Sequence, residues 1–182
     1  MGMAISVPRY TVDDLDRFPD DGNRYELLDG VLLVTPAPRA VHQIVASRIA
    51  AILSAALQRT GHAHVVGPGA ISFPPLTQLQ PDILVYPARF SPNTDWAKVT
   101  EHWLVVEVLS RSSRVYDREF KRDAYFALGV PEVWLVDVRD RSVEVSRARG
   151  VSEIVRDTLR LRVPALDIVV PIGLSEVFAG VE

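Results

Sequence analysis

The chain has 182 residues, enough for one domain with a sizeable core and too few for two comfortable ones. Hydrophobic residues make up 48% and charged residues 24%, globular proportions that exclude a disordered chain or a long coiled coil. A formal net charge of −3 argues against a generic polyanion binder, and the absence of cysteine excludes a disulfide framework and fits a reducing cytoplasm.

Taken in chain order, Thr11-Val-Asp-Asp14 has the form of a capping box and predicts a short helix. In "RYELLDGVLLVTP", Asp29-Gly30 separates two strand-like runs, a strong hairpin signal. Val41, Val45, Ile49, Ile52, Leu53 and Ala56 recur at helical spacing, which predicts a helix from about Ala40 to Thr60, closed by Gly61. Strands are expected at His64 to Val66 and Ala70 to Phe73. "DILVYP" and "HWLVVEVLS" are too continuously apolar to alternate and read as central strands covered on both faces. "SRVYDREFKRDAYFALG" reads as a helix ended by Gly129, and "EVWLVDV" as another buried strand. The alternation in "SVEVS" predicts an edge strand with one wet face. The rest reads as a mainly β meander with a last helical turn at "LSEVF". No apolar run approaches the roughly 18 residues that span a bilayer, and the N-terminus lacks a signal-peptide pattern. The expectation is a single cytoplasmic domain over residues 1–182 with no membrane partner; a homodimer is compatible with it.

Two carboxylates stand out. On a strand, Trp103, Val105, Glu107 and Leu109 share one face, so Glu107 points into a layer. An unpaired buried carboxylate costs several kcal/mol and has to be paired, protonated or bound to a cation. An ion pair with an arginine satisfies that need. A second acid, Asp82, opens the strand run after Pro81, and two converging carboxylates repel unless positive charge lies between them. A hard divalent ion with oxygen ligands, Mg²⁺ or Mn²⁺, is the other solution. Lys121 lies at the flank of the apolar stripe on the following helix, where it either leans toward Glu107 or snorkels to solvent. From Ser110 to Asp123, five basic side chains face three acidic ones, a modest basic patch that ordinary helical pairing also explains.

The order "YELLDG", "PDILVY", "LVVEVLS", "YDREFKRDAYFALGVPEVWLVD" resembles the Uma-type family of restriction endonuclease-like proteins, within the PD-(D/E)xK nuclease superfamily. The resemblance runs from about Tyr10 to Val177. It implies an α/β (α+β) fold with a restriction-endonuclease-like core: a mixed central β-sheet flanked by helices, with an added β-hairpin and the C-terminal β meander. It also implies Mg²⁺-dependent (or Mn²⁺-dependent) cleavage of DNA. Carried over residue by residue, Asp82 is the motif aspartate and Glu107 the motif acid, both metal ligands. Leu109 stands where the superfamily's usual lysine would be, and the resemblance places that lysine at Lys121. Glu26, on the hairpin strand beside Arg24, is an additional candidate acid or a salt-bridge partner. His42, on its helix's apolar stripe, is a candidate site residue or a core histidine. Arg111, Arg114 and Arg118 are candidate phosphate contacts, with Arg111 standing where the family commonly has proline.

Three functions fit: a Mg²⁺-dependent endodeoxyribonuclease, a catalytically silent interaction protein on the same fold, and a metal-dependent hydrolase of a smaller phosphate ester. The intact set Asp82, Glu107 and Lys121 favours the first, and the acidic net charge favours the other two.

Overall fold

The computed structural model describes residues 9–110 and 120–181. Asp14 accepts from the Thr11 N–H and hydroxyl, both at 2.8 Å, and this closes the start of a 3₁₀ segment at Val12–Arg17. The Asp-Gly pair then turns the chain: Asp29 and Gly30 both take positive φ, 50° and 78°, as a tight hairpin between twisted strands requires. Strands β1 (Arg24–Leu28) and β2 (Val31–Thr35) flank this turn in antiparallel register.

A six-stranded mixed sheet forms the centre. Its members are β3 (Ala63–Val66), β6 (Ile83–Pro87), β7 (Leu104–Val108), β8 (Val133–Asp137), β9 (Ser142–Ala148) and β10 (Val151–Val155), in the order β10-β9-β8-β7-β6-β3. Among the described residues, only β7 and β8 pair in parallel, so the chain must cross over between them. That crossover carries α2 (Arg122–Ala127), and Gly129 at φ 84° ends it as its position predicts. A smaller sheet, β2-β1-β5-β4, adds β4 (Ile71–Phe73) and β5 (Thr77–Leu79) to the hairpin. Strands β11 (Thr158–Val163) and β12 (Ile168–Gly173) pair with each other, and α3 (Leu174–Val177) follows.

Side-chain alternation along β6, β7 and β8 divides the core into two layers. Ile83, Val85, Leu104, Val106 and Trp134 pack toward α1 (Ala40–Leu53), the β11–β12 hairpin and α3. Leu84, Val105 and Leu135 pack the other way, against Leu33, Ile71 and Leu79 of the small sheet and Tyr125 of α2. Glu107 shares the second face with Val105, between the small sheet and α2.

Two expectations are corrected. The "SVEVS" strand is interior: Ser142 and Ser146 are buried, Glu144 meets Arg122 at 3.3 Å, and the edge position falls to β10. Small hydroxyl side chains pack in an interior layer, so polar alternation there does not mark a wet face. The second concerns α1, which continues through a π-helical turn at Ser54–Gln58 into a 19-residue helix of mean hydropathy 1.5. By length and composition alone that segment is long and apolar enough to cross a bilayer. In the fold its stripe of Val45, Ile49, Leu53 and Leu57 lies on the central sheet, while Arg48 donates to the Val177 and Ala179 carbonyls at 2.9 and 2.7 Å.

Candidate active site

Asp82 sits where β6 begins, and the antiparallel register pairing Ile83 with Val106 continues to set it opposite Glu107. Its backbone is held by close approach of another segment: a Cβ on Gly67 would stand 2.5 Å from the Asp82 carbonyl oxygen, so only glycine fits there. The carboxylate is buried and engaged at both oxygens. Oδ1 accepts from Arg24 Nη1 at 3.0 Å, and Oδ2 accepts from the Val108 N–H at 2.8 Å. His42 Nε2 also stands 3.0 Å from Oδ2, within ion-pair reach but out of hydrogen-bond alignment, so both ring nitrogens of His42 lack a hydrogen-bond partner. Burial pushes the Asp82 carboxyl up, but the His42 contact, the His42 and Arg24 charges and the Val108 N–H together hold it below its ordinary range.

Glu107 lies one strand over, with Tyr125 and Lys121 from α2 and the turn before it. The Tyr125 hydroxyl donates to Glu107 Oε1 at 2.5 Å, a charge-assisted bond at the short end of the range, and Lys121 Nζ lies 3.3 Å from the same oxygen. Lys121 Nζ also donates to Glu26 Oε2 at 2.6 Å, while Glu26 Oε1 accepts from the Gln80 N–H at 2.7 Å. Lys121 is only 4% exposed, which excludes the snorkelling arrangement. Arg24 closes the group. Burial works against its charge, yet the carboxylates of Asp82, Glu107 and Glu26 together raise its pKa.

Thus Glu26, His42, Asp82, Glu107 and Lys121 lie in one group, and the cations that offset the acids are the protein's own. Arg111, Arg114 and Arg118 lie outside the described residues. Two members were missed. Arg24 had a usable signal, since it alternates with Glu26 on one strand face. Tyr125 lies one helical turn beyond Lys121, but a buried tyrosine on a helix reads as core until its hydroxyl finds a partner.

Among the described residues, no three His, Asp or Glu side chains are placed to hold one metal ion together. The donor set still fits a hard divalent ion of the Mg²⁺ type. Asp82 and Glu107 are neighbouring buried carboxylates, and such an ion commonly takes one or two protein carboxylates and fills its remaining positions with water and substrate phosphate.

A mixed α+β fold, with a central mixed sheet presenting paired acids and a lysine from the crossover, defines a protein of the restriction-endonuclease-like class. Among solved structures, the chain resembles a protein from Anabaena variabilis described as "a putative nuclease belonging to DUF820", with a TM-score of 0.70 over 93% of this chain and 97% of that one. At 17% identity, that likeness speaks to the fold. The family model Uma2, "Putative restriction endonuclease", matches residues 12–177, and the chain belongs to that family. No curated protein sequence matches it.

Proposed function

We propose that the protein is a divalent-metal-dependent endonuclease that hydrolyses phosphodiester bonds of DNA in the cytoplasm. The carrying observation is the meeting of Asp82, Glu107, Glu26 and Lys121 in one buried group, in a chain whose family is nuclease-like. Asp82 and Glu107 would hold the ion. When bound, it supplies Lewis acidity and a water activated near neutral pH. Lys121 brings positive charge to the side of Glu107 where phosphate oxygens gain charge, and Glu26 fixes that ammonium. Arg24 offsets the acids before the ion arrives.

One observation favours a second reading, a silent binding protein. Every one of these acids already meets a cation of the chain, so the fold does not require a metal to neutralise them. Purified protein incubated with supercoiled plasmid, linear duplex and single strands, in Mg²⁺, Mn²⁺ or EDTA, separates the two. Nicking or linearisation that needs the metal and disappears in Glu107→Gln is the expected result. No cleavage of any substrate in either metal, or equal cleavage by the variant, would reject the nuclease.

A further inference from the structure

A shallow, open cleft of about 360 Å³, which shares Arg24 and Gln80 with the acid group, lies between the Val12–Arg17 segment and strands β1 and β5. That volume is at the small end of the roughly 300–1,000 Å³ typical of ligand sites. Arg24 belongs to both places: it lines the cleft and it donates to Asp82 Oδ1 at 3.0 Å. Gln80 joins them as well, since its N–H is bound by Glu26 and its carbonyl by Arg24, at 2.7 and 2.9 Å. A group resting in the cleft is therefore one residue away from anything held at Asp82.

The lining is mixed in a particular way. Leu15, Phe18 and Pro19 supply apolar surface, and the Phe18 ring stacks on Tyr25 at 4.8 Å and 11°. Gln78 and Gln80 fall on one side of the chain, with the buried Leu79 between them. Among the described residues the Gln78 amide has no hydrogen-bond partner, and Gln80 spends one side-chain N–H, on the Tyr25 carbonyl at 3.2 Å. Asp16 and Asp20 also line it, and among the described residues neither has a cationic partner. Flat apolar surface beside open amides is suited to a planar heterocycle, because glutamine pairs with the amino and ring-nitrogen edge of adenine and aspartate accepts from the amino group of cytosine. The rim excludes phosphate. From Thr11 to Asn23 there are five aspartates and one arginine, which repels a polyanionic backbone but leaves an uncharged base unaffected.

We propose that this cleft receives an unstacked, amino-bearing nucleobase of the DNA strand next to the phosphate that would lie at the ion held by Asp82 and Glu107. The base enters past Phe18, its amino edge meets Gln78, Gln80 and Asp16, and the backbone stays on the Arg24 side. The assignment rests on the nuclease reading and adds to it a preference among bases.

The test is fluorescence-anisotropy binding of labelled single-stranded hexamers, all-thymine or with one central adenine or cytosine, in Ca²⁺. The expected result is at least tenfold tighter binding of the adenine or cytosine strand than of the all-thymine strand. Gln78→Ala and Asp16→Asn, both away from the metal carboxylates, should reduce that ratio to within twofold; Gln78→Ala leaves all-thymine binding unchanged, and Asp16→Asn, which removes one repelling charge, tightens it slightly. Equal affinity of wild type for the three strands, no binding of any of them, or a preference that survives both substitutions would overturn the proposal. Plasmid cleavage in Mn²⁺ is measured on the same preparations. Cleavage without base preference rejects the cleft alone, and preference without cleavage rejects the nuclease alone.

Discussion

Replacing Asp82 by Asn tests whether the acids of the site are structurally paired before any metal binds. Asn keeps the volume, so no cavity forms. It removes the anion that meets Arg24 at 3.0 Å, with the two side chains only 5% and 20% exposed. Breaking a buried pair by removing one partner costs about 3–5 kcal/mol. Arg24 keeps the Gln80 carbonyl at 2.9 Å and the charges of Glu26 and Glu107, so a cost below that range, about 2–3 kcal/mol, applies here. In a chain of this length that corresponds to a melting temperature about 4–12 °C lower. The assay is thermal unfolding in EDTA at pH 7. The carboxyl's folded-state pKa is depressed, so its contribution is present above the ordinary value of 3.8 and is lost as pH falls below it. The gap between wild type and variant should therefore close in acid. Added Mn²⁺ at a hundredfold excess over Kd should stabilise wild type by about 2.7 kcal/mol and the variant far less. A variant that melts in EDTA at or above the wild-type temperature would show that the carboxylates repel one another, and the ion-pair reasoning would fail.

Lys121→Met removes the cation shared by the nearly inaccessible Glu26 and Glu107 and should cost about 3–5 kcal/mol in urea unfolding; a loss under about 1 kcal/mol would return the lysine to a minor role. Tyr125→Phe keeps the buried ring and removes only the hydroxyl donated to Glu107, so about 1.5–3 kcal/mol of stability and roughly tenfold in Mn²⁺ affinity by calorimetry should go; unchanged values for both would contradict the contact. Gly67→Ala forces a methyl group against the Asp82 carbonyl and should lower stability by about 1–3 kcal/mol and weaken Mn²⁺ binding, both checked on one preparation. His102 is buried with its Nε2 unpartnered, and burial lowers its pKa to about 4; the unfolded chain therefore takes up a proton first, and stability should fall between about pH 6.5 and 4. His102→Gln should flatten that segment of the stability–pH curve, and an unaltered slope would place the proton uptake elsewhere.

Local signals in the sequence carried the parts of the fold that local physics decides. Asp29-Gly30 demands positive φ, and the aliphatic runs around Val85 and Val106 have no polar face to show water, so the hairpin and the central strands were legible. Where neighbours decide, legibility failed. The strand from Ser142 looked like an edge, while the true edge, β10, carries the exposed apolar side chains of Val151 and Ile154. Nothing local says which of the two has a partner on both sides. Asp82 and Glu107 announced themselves as acids in apolar runs. The bond from Lys121 to Glu26 joins residues 95 apart in the chain, and no spacing rule reaches that far.

That separation also fixes when the site can exist during synthesis. The hairpin carrying Arg24 and Glu26 leaves the ribosome first, the strands bearing Asp82 and Glu107 come later, and Lys121 and Tyr125 arrive on the crossover that the parallel pair β7–β8 demands. Until that crossover packs, Glu107 has neither its lysine nor its tyrosine, and an incomplete chain cannot assemble the group. On the nuclease reading proposed above, such a layout ties activity to completion of the central sheet, and truncated or partly unfolded copies would be inactive.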